Sequence, residues 1–509
     1  MKAIDLKTRY ILNPAYKFRN DITSVVVTNA DSLYFDSLDQ DEKTFKNFAW
    51  KIPPLVAYLF SFFDGSETFT DTLNHIVEQT NSSCEVLTDA ILPFIENEDN
   101  KVFPLALDSE KGCAISLPKN FLIPCDPKWP RRALLKDINV KKIHTEFDIS
   151  SGRLNIPNEL MIMITNKCVT NCIYCYADRG HKMGPEMPFD RVKELITEAR
   201  ELNCRSVDIG GGELFQYGNW FELIQCLISN EYMPYISTKV PFDEEILLKL
   251  KSLGVDRIQI SLDTINPDKI KKILNVNENY LDAMKRTLEN LEKHKMKFRI
   301  KSVITNINDT LEDIESLTKY LSQFRMLKEV SIAPGEFSLY KPFTYSSALT
   351  QIRTIEEYVN KIKESYPCNL SMQGAAEYPV PQSFEEKHKE YSKRGLCSGN
   401  VSSFYILPDG KATLCEQIYW HPFFILGDCC TQSIIEVWNS EKAMNLWNIS
   451  QQDIRNGSAC KTCPEFEVCR RGKGNCWRFA MEAYGLDNYD FPTYTCPYAP
   501  PPTVNMFHK

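Results

Sequence analysis

Apolar runs alternate with amphipathic segments between residues 159 and 334, and this alternation constrains the fold most strongly. Six short apolar runs are typical of buried strands, and five longer segments with helical periodicity separate them. Strands that alternate with helices form a parallel sheet through right-handed crossovers. Six strands are too few for a closed eight-stranded barrel, so we predict an α/β protein with either an open sheet or a partial (β/α)6 barrel. The predicted strands are 160–165, 206–210, 234–238, 256–262, 297–304 and 328–333, and the predicted helices are 190–202, 219–230, 242–252, 279–294 and 311–323.

Three cysteines follow the first predicted strand, at the end of the sheet where such folds bind ligands. Cys168, Cys172 and Cys175 have the spacing C-x3-C-x2-C. The alternative, one face of a core helix, fits poorly because Asn166 and Thr170 are weak helix formers. A four-iron cluster takes one thiolate per iron, so three cysteines leave one iron open to a bound molecule.

A run of glycines follows the second predicted strand. The segment is Gly210-Gly211-Gly212-Glu213, whereas a plain turn needs one glycine. Consecutive glycines allow the backbone to approach a ligand closely, and we expect them to offer bare N–H and C=O groups. The carboxylate of Glu213 suits an ammonium group.

The cysteine spacing, with Tyr174 before the last cysteine, and the motif Gly211-Gly212-Glu213 together resemble the radical S-adenosylmethionine (SAM) superfamily. Ile260-Ser261-Leu262-Asp263 resembles the segment near the cofactor ribose. The resemblance implies that the open iron binds SAM and that a 5′-deoxyadenosyl radical abstracts hydrogen from the substrate. The resemblance places Tyr174 near the adenine, Ser261 near the ribose, and Gly211, Gly212 and Glu213 at the amino group of SAM. Ser237 and Thr238 are further candidates for cofactor contact, although ordinary polar residues at the end of a strand explain them equally well.

The sequence does not identify a partner for the carboxylate of SAM. Related enzymes often carry an arginine after the fourth strand, whereas this chain has Asp268-Lys269-Ile270-Lys271-Lys272. A lysine lacks the bidentate fork of arginine. The sequence also does not identify a catalytic base.

A second group of cysteines lies in the C-terminal region and resembles the SPASM extension, which holds two auxiliary four-iron clusters. The alternative is a pair of zinc knuckles, because C-x2-C is also a zinc signal. The chain has 18 cysteines in all, and their clustering favours metal ligands over disulfides. The resemblance implies three [4Fe–4S] clusters in total, with the outer auxiliary ligands Cys460, Cys463, Cys469 and Cys496 and the inner ligands Cys397, Cys415 and Cys476.

The inner cluster lacks an obvious fourth ligand. Cys429, Cys430 or Cys368 are candidates for that position. If none of them serves, one inner iron stays open, and a substrate thiolate would bind there. The spacing from Cys469 to Cys476 also departs from the family, with six intervening residues where three are usual.

Residues 1–110 form a separate pattern of strand candidates (10–12, 16–19 and 24–28) followed by helix candidates (53–63, 70–80 and 84–96). This pattern predicts a winged-helix-like α+β domain, with a plain packing domain as the alternative. Ahead of a radical SAM and SPASM body, it resembles a PqqD-like leader-recognition domain, which adds a leader peptide as a strand to a sheet edge. We expect that edge near 24–28, with the third helix as the opposite wall.

The remaining divisions follow from composition. The predicted domains are 1–110 for leader recognition, 111–155 as a linker, 156–334 as the radical SAM partial barrel, 335–396 as a charged, solvated helical bridge and 397–509 as the SPASM domain. The scattered cysteines are predicted to be small buried hydrophobic residues. They are Cys84, Cys113, Cys125, Cys204 and Cys226.

The resemblance as a whole implies a maturase of ribosomally synthesised precursor peptides, similar to the thioether synthases of sactipeptides and ranthipeptides. The alternatives are a carbon–carbon or carbon–oxygen crosslinking maturase, a formylglycine-forming oxidase similar to anaerobic sulfatase-maturing enzymes, or an iron–sulfur electron carrier without catalysis. The expected partners are a precursor peptide and an electron donor such as flavodoxin or ferredoxin. A net charge of -8 disfavours nucleic acid. No apolar run suits a membrane span, and the N-terminus has no secretory h-region, so we expect a cytoplasmic enzyme.

Overall fold

The computed structural model describes residues 6–22, 24–29, 49–99, 101–104, 114–126, 152–375 and 383–508. The chain divides into two compact units. The first contains Met1–Asn158 and Asn203–Ser206, and the second contains Glu159–Leu202 and Val207–Lys509.

The first unit combines small antiparallel sheets with three helices, as the predicted α+β pattern requires. Its core contains Phe60, Phe69 and Leu73 from two of the helices. The strands are β1 (Tyr10–Leu12), β2 (Tyr16–Asn20), β3 (Val25–Asn29), β4 (Ala49–Ile52), β5 (Lys101–Pro104), β6 (Ala114–Leu117) and β7 (Leu122–Pro124). The helices are α1 (Pro54–Ser61), α2 (Phe69–Thr80) and α3 (Cys84–Ile91), which confirms the three predicted helices, with the last one shorter than expected.

The order of strands in the first unit corrects the predicted leader edge. β3 pairs antiparallel with β2 on one side and with β4 on the other. The expectation of a free edge near 24–28 is therefore wrong, because both sides of that strand already carry hydrogen bonds. In the described residues, β2 and β4 are the outer strands of this sheet. β4 was not predicted.

A buried ion network ties the three-stranded sheet to the last residues of the first unit. The carboxylate of Asp21 accepts hydrogen bonds from the backbone N–H of Asn155 at 3.0 Å and of Ile156 at 2.9 Å. The guanidinium of Arg19 donates to the carbonyl oxygen of Ile156 at 3.0 Å. The predicted linker 111–155 thus ends in an ordered segment and also contains β6 and β7, while its residues 127–151 lie outside the described residues.

Parallel strands dominate the second unit. β10 (Ser237–Thr238), β11 (Arg257–Ser261), β12 (Lys297–Ile304), β13 (Leu327–Pro334) and β14 (Asn369–Met372) form one five-stranded parallel sheet in chain order. β8 (Glu159–Met163) and β9 (Ser206–Gly210) are neighbours in a second sheet. All six predicted strands are present, and the α/β class is confirmed.

Helices follow these strands along the chain. The five predicted helices are confirmed as α4 (Phe189–Glu201), α5 (Trp220–Ser229), α6 (Glu244–Ser252), α8 (Tyr280–Lys293) and α9 (Leu311–Leu321). One further helix, α7 (Pro267–Leu274), was missed. Its N-cap Asn266 accepts hydrogen bonds from the backbone N–H of Asp268 and Lys269, and this cap starts a helix of only eight residues.

The predicted helical bridge 335–396 is only partly a solvated helical segment. It contains α10 (Leu349–Ile362) and α11 (Phe384–Ser392), as expected. α10, however, packs Ile355 and Val359 into the core of the parallel sheet. The prediction also missed β14, which pairs with β13 and extends that sheet.

The C-terminal region adds strands to the sheet that contains β8. β15 (Ser403–Ile406) runs parallel to β8, and β16 (Lys411–Thr413) pairs antiparallel with β15 through a turn in which Gly410 has φ +84°. β17 (Gly427–Asp428) follows, then the helices α12 (Ile434–Trp438), α13 (Glu441–Trp447), α14 (Phe466–Gly472) and α15 (Trp477–Tyr484). No helix in the described ranges has the length and apolarity needed to span a membrane.

Candidate functional site

The loop that leaves β8 carries the three cysteines of the first predicted cluster. The Oγ1 atom of Thr170 lies 3.2 Å from Sγ of Cys168 and 3.4 Å from Sγ of Cys172. The backbone N–H of Cys175 donates to the carbonyl oxygen of Cys172 at 3.2 Å. The structure therefore brings these cysteines together within one turn of chain, and Cys168 also lines an open cleft with Asn171.

The C-terminal end of α7 holds this cysteine loop in place. The backbone N–H groups of Asn171 and Ile173 donate to the last carbonyl groups of the helix, at Leu274 and Ile273, over 2.8 and 3.0 Å. The guanidinium of Arg179 donates to the carbonyl oxygen of Thr170 at 2.6 Å. The helix that the sequence did not predict thus positions the first cysteine set.

The glycines after β9 allow the backbone to pack closely against the loop that leaves β8. The N–H of Gly212 donates to the carbonyl oxygen of Thr165 at 2.7 Å, and the N–H of Glu213 donates to that of Lys167 at 2.8 Å. A Cβ atom would lie 2.4 Å from the Thr165 oxygen if placed on Gly211, and 2.0 Å from the Lys167 oxygen if placed on Gly212. The expectation of bare N–H groups is therefore wrong for Gly212.

Glu213 presents a buried carboxylate at the ends of β9 and β10. Its Oε1 atom accepts a hydrogen bond from the hydroxyl of Thr238 at 2.8 Å, and its Oε2 atom accepts one from the backbone N–H of Lys239 at 3.2 Å. Burial raises the pKa of this carboxyl above its usual range. A ligand ammonium would compensate that desolvation.

A cation lies beside Glu213, at a position that the sequence analysis did not single out. The Nζ atom of Lys239 donates to the hydroxyl oxygen of Tyr174 at 2.6 Å and to the carboxylate of Asp263 at 3.3 Å. The hydroxyl of Tyr174 donates to the same carboxylate at 2.5 Å. Burial and the charge of Asp263 both raise the pKa of Tyr174. The carboxylate of Glu213 and the ammonium of Lys239 are complementary to the ammonium and the carboxylate of a bound amino acid.

Two of the three lysines considered for the cofactor carboxylate form ion pairs with acids. Lys269 forms a short ion pair with Asp313, and Lys271 pairs with Glu278 at 3.1 Å; both lie on α7. Lys239 is paired as well, with Asp263 at 3.3 Å, but its backbone N–H contacts Glu213. Its position beside Glu213 makes Lys239 the better candidate for the contact with the cofactor carboxylate.

Ser237 and Ser261 meet through one buried amide. The hydroxyl of Ser237 donates to the carbonyl oxygen of the Gln259 side chain at 2.9 Å, and the amide nitrogen of Gln259 donates to the hydroxyl of Ser261 at 2.9 Å. Ser237 and Gln259 are also partners in the β10–β11 register. Gln259 was missed because a polar side chain within an apolar strand gave no ligand signal on its own.

The inner cysteine set converges in the C-terminal region. Burial, together with the charges of Cys476 and Cys397, raises the pKa of the Cys415 thiol to about 12. Three buried thiols that oppose one another's ionisation fit a cationic iron core, which would stabilise all three thiolates. The structure thus places Cys397, Cys415 and Cys476 in one another's electrostatic reach.

The candidates for a fourth inner ligand lie in other surroundings. The thiol of Cys430 faces the backbone oxygen of Asp409 at 3.5 Å, and the Cys429 thiol has Arg191 as its main charged neighbour. The Cys368 thiol has Lys328 as its main charged neighbour. None of the three is among the main charged neighbours of Cys397, Cys415 or Cys476. Which residue, if any, completes the inner set stays open.

Tyr176 lies near both the first cysteine set and the inner one. Burial raises the pKa of its hydroxyl, and the charges of Glu416, Cys175 and Cys415 raise it further. Cys175, the residue before it, packs against a hydrophobic cluster that contains Tyr419, which follows Cys415 closely in the chain. Tyr176 and Glu416 therefore lie where the segments that carry Cys175 and Cys415 approach each other.

The outer cysteine set lines a single cavity. Cys460, Cys463, Cys469 and Cys496 face it together with Arg470. The first three cysteines and burial raise the pKa of the Cys496 thiol to about 12. The structure thus brings together the four residues that the family pattern assigns to one cluster.

The donor sets fit iron–sulfur clusters. Among the described residues, no three His, Cys, Asp or Glu side chains converge on one point at metal-ion distance. A cubane takes each thiolate on a separate iron, so its ligands surround a volume instead of a point. The described cysteines form no disulfide.

The scattered cysteines lie apart from these sets. Cys204 is buried, and Cys125 and Cys226 are partly buried. Cys84 is exposed at the start of α3, so the expectation of a buried residue is wrong there. Cys113 lies outside the described residues.

Comparison with known families identifies the two central regions. Residues 162–321 match the Radical SAM superfamily, and residues 397–464 match SPASM, an iron–sulfur cluster-binding domain. The protein is therefore a radical SAM enzyme with a SPASM domain. These domains imply iron–sulfur clusters and SAM as cofactors.

Individual relatives cover the chain to different extents. A probable GTP 3′,8-cyclase of Methanococcus maripaludis strain C5 is 35% identical over 115 residues, which is 22% of this chain and 38% of the relative. The GTP 3′,8-cyclase of Desulforamulus reducens is 29% identical over 170 residues, which is 32% of this chain and 52% of the relative. The chain thus matches about half or less of the length of these two curated relatives.

The fold of almost the whole chain has a counterpart in a solved structure. Streptococcus suis SuiB bound to precursor peptide SuiA matches with a TM-score of 0.59 and 14% identity, over 96% of this chain and 99% of that one. SuiB bound to S-adenosylmethionine matches with a TM-score of 0.57 over the same shares. The α/β radical SAM fold with its SPASM domain is thereby established.

Proposed function

We propose that this enzyme is a peptide maturase that forms an intramolecular thioether, from a cysteine sulfur to a carbon, in a ribosomally synthesised precursor peptide. The observation that carries the proposal is the proximity of two sets of three cysteines. Cys175 packs against the cluster that contains Tyr419, shortly after Cys415, and the charges of Cys175 and Cys415 both act on Tyr176. Each set has one thiolate fewer than a four-iron cluster has irons. One open iron suits SAM, and the other suits the thiolate of the peptide.

The residues around Glu213 would bind and orient the cofactor. When bound, SAM and the cluster on Cys168, Cys172 and Cys175 supply a 5′-deoxyadenosyl radical that takes a hydrogen atom from the peptide. Glu213 would accept the ammonium of SAM, and Lys239 would bind its carboxylate.

The remaining contacts along the cofactor follow the ends of the parallel strands. Ser237, Gln259 and Ser261 form one hydrogen-bonded row on the side assigned to the ribose. Tyr174 is fixed by Asp263 on the side assigned to the adenine.

Glu416 directly follows Cys415 in the chain and is the main charged neighbour of Tyr176. We assign it as the acceptor of the proton that the peptide loses when the thioether forms. Positioned carboxylates are common general bases, and this one is within reach of a substrate held near the inner cysteines.

The outer set, Cys460, Cys463, Cys469 and Cys496, would hold the third [4Fe–4S] cluster. A flavodoxin or a ferredoxin would serve as the electron donor for SAM cleavage. Thiolate ligands and low-potential electron donors belong to a reducing compartment, so we place the activity in the cytoplasm.

The first unit would bind the leader of the precursor peptide. β4 is an outer strand of its sheet in the described residues, and it carries Trp50, which is 50% exposed. An extended peptide adds to such an edge through main-chain hydrogen bonds and fills pockets with alternate side chains. The likeness to the fold of SuiB, whose structure contains precursor peptide SuiA, supports this assignment.

Two other reactions compete with thioether formation. A carbon–carbon or carbon–oxygen crosslink would use the same radical but would not need an open inner iron. A formylglycine-forming oxidase would act on a protein and would not need a leader site such as the β4 edge. The two incomplete cysteine sets therefore favour the thioether.

Substitution of the inner cysteines tests the proposal. Cys397→Ala or Cys415→Ala should abolish crosslinking of a cysteine-containing peptide but retain 5′-deoxyadenosine formation, because Cys168, Cys172 and Cys175 remain. Cys84→Ala is the matched control, since this exposed thiol lies outside all three sets. Crosslinking at the unmodified rate in the inner variants would contradict the proposal. Incubation with GTP is the counter-test, because the curated relatives include GTP cyclases.

A further inference from the structure

Two arginine side chains donate hydrogen bonds to sulfur atoms of the outer cysteine set. The Nη2 atom of Arg394 lies 3.0 Å from Sγ of Cys469, and the Nη2 atom of Arg470 lies 3.4 Å from Sγ of Cys460. Arg470 exposes only 6% of its surface. A buried arginine normally has an anionic partner.

Neither arginine has such a partner among the described residues. No described carboxylate forms an ion pair with Arg394 or Arg470, whose other hydrogen-bond acceptors are backbone oxygens. The Nε atom of Arg394 and the Nη1 atom of Arg470 are buried without a hydrogen-bond partner in the described part of the chain. An unpaired buried donor destabilises the fold, and a charged one does so more strongly. The cavity is therefore prepared for an anion, and a four-iron cluster with four thiolates carries net negative charge.

The inner cysteine set also has an arginine, but its charge is compensated. Arg478 lies near Cys476 and Cys415. It pairs with the carboxylates of Glu482 at 3.6 Å and Glu336 at 3.8 Å. The outer set therefore faces two arginines that have no carboxylate partner among the described residues, with Glu465 as the acid near Cys463. The inner set faces one arginine, and two acids pair with it.

We propose that Arg394 and Arg470 raise the reduction potential of the outer cluster above that of the inner one. Hydrogen bonds to the sulfurs and nearby positive charge both favour the reduced cluster, which is more negative by one electron. The inference rests on the assignment of Cys460, Cys463, Cys469 and Cys496 to a [4Fe–4S] cluster.

The difference in reduction potential determines which auxiliary cluster accepts the electron from the peptide. Thioether formation removes two hydrogens from the peptide. One leaves as a hydrogen atom on 5′-deoxyadenosine, and the other leaves as a proton and an electron. The two arginines make the outer cluster the favoured acceptor of that electron, which a one-electron carrier such as an oxidised flavodoxin or ferredoxin then removes.

A redox titration of the auxiliary clusters tests the inference without measuring turnover. The protein is the full chain reconstituted under anaerobic conditions, with Cys168, Cys172 and Cys175 replaced by Ala so that the first cluster gives no signal. Arg394→Gln and Arg470→Gln should each change the reduced-to-oxidised ratio of the outer cluster about tenfold toward the oxidised form, a shift of about 59 mV for one electron. Arg455→Gln is the matched control, because Arg455 pairs with Asp490 and contacts no cysteine sulfur.

Iron content separates the two ways in which the inference can fail. If the combined variant Cys460→Ala and Cys463→Ala retains all its iron, the outer-cluster assignment is wrong. If that variant loses one cluster but the arginine variants keep an unchanged potential, the assignment stands and the role of the arginines is refuted. Should the Gln variants lose iron, the order of reduction of the two auxiliary clusters with both arginines in place decides the question. An outer cluster that is reduced before the inner one supports the inference, and the reverse order overturns it.

Discussion

The ammonium of Lys239 lies 2.6 Å from the hydroxyl oxygen of Tyr174, across 65 residues of sequence. Asp263 accepts hydrogen bonds from both groups, so one carboxylate fixes a cation beside the first cysteine set. The backbone N–H of Lys239 donates to Glu213 at the same time. This local network places a positive and a negative side chain next to each other at the ends of the strands.

Substitution of Lys239 should weaken SAM binding. A charge-assisted hydrogen bond contributes about 1.5–3 kcal/mol, so Lys239→Ala should raise the Kd for SAM by about 10- to 100-fold. Isothermal titration calorimetry of the reconstituted protein measures this value. Lys269→Ala is the control, because its ammonium pairs with Asp313, and it should leave the Kd unchanged. Equal effects of the two substitutions would contradict the assignment of Lys239.

Substitution of Gly212 should damage the cysteine loop. A Cβ atom there would lie 2.0 Å from the carbonyl oxygen of Lys167, and the backbone must shift to relieve this overlap. Overpacking of this kind costs about 1–3 kcal/mol or more, so Gly212→Ala should lower both the Tm and the iron bound to the first cluster. Gly218→Ala meets no atom within 4 Å and should change stability by less than about 0.5 kcal/mol. Normal iron content in Gly212→Ala would refute the packing role.

Substitution of Glu416 should reduce the crosslinked peptide without reducing 5′-deoxyadenosine to the same extent. If this carboxylate accepts the proton of the peptide, Glu416→Gln should reduce crosslinked peptide about 100-fold or more while 5′-deoxyadenosine still forms. Mass spectrometry and chromatography of the same reaction quantify the two products. Glu441→Gln, at an exposed position on α13, is the control. A proportional loss of both products would show that Glu416 does not have this role.

Substitution of Trp50 should weaken binding of the leader. Exposed aromatic residues at binding edges often contribute more than 1 kcal/mol, so Trp50→Ala should lower the affinity for a labelled leader peptide about tenfold. Fluorescence anisotropy measures the Kd. Ile22→Ala is the control, because Ile22 is 64% exposed in the turn between β2 and β3 and is not part of the β4 strand. Unchanged affinity in Trp50→Ala would place the leader elsewhere.

Hydrophobic periodicity was sufficient to predict the six parallel strands and five of their helices. These elements are long enough, and buried enough on one face, for the pattern to stand out. α7 was not predicted because it has only eight residues and a charged sequence. Its role depends on contacts between its last carbonyl groups and the cysteine loop, which the sequence pattern does not show. β14 escaped because its partner β13 lies across the intervening α10.

In the candidate site, too, residues with a local sequence pattern were predicted, and residues defined by distant contacts were not. Cysteine spacing is local, so the three sets followed from the sequence and its resemblance to known families. Lys239, Gln259 and Arg394 were missed because their partners lie 22 to 75 residues away in the chain. The leader edge was misplaced because pairing on both sides of β3 depends on β4, a strand of four residues with no clear pattern.

The most direct test is an anaerobic reaction of the reconstituted enzyme with SAM, a reductant and a cysteine-containing candidate precursor peptide. Mass spectrometry of the peptide and quantification of 5′-deoxyadenosine are carried out on the same sample. We predict a peptide lighter by two hydrogens, resistant to thiol alkylation at one cysteine, and formed in proportion to 5′-deoxyadenosine. A peptide of unchanged mass, or one that loses two hydrogens with every cysteine still open to alkylation, would contradict thioether formation.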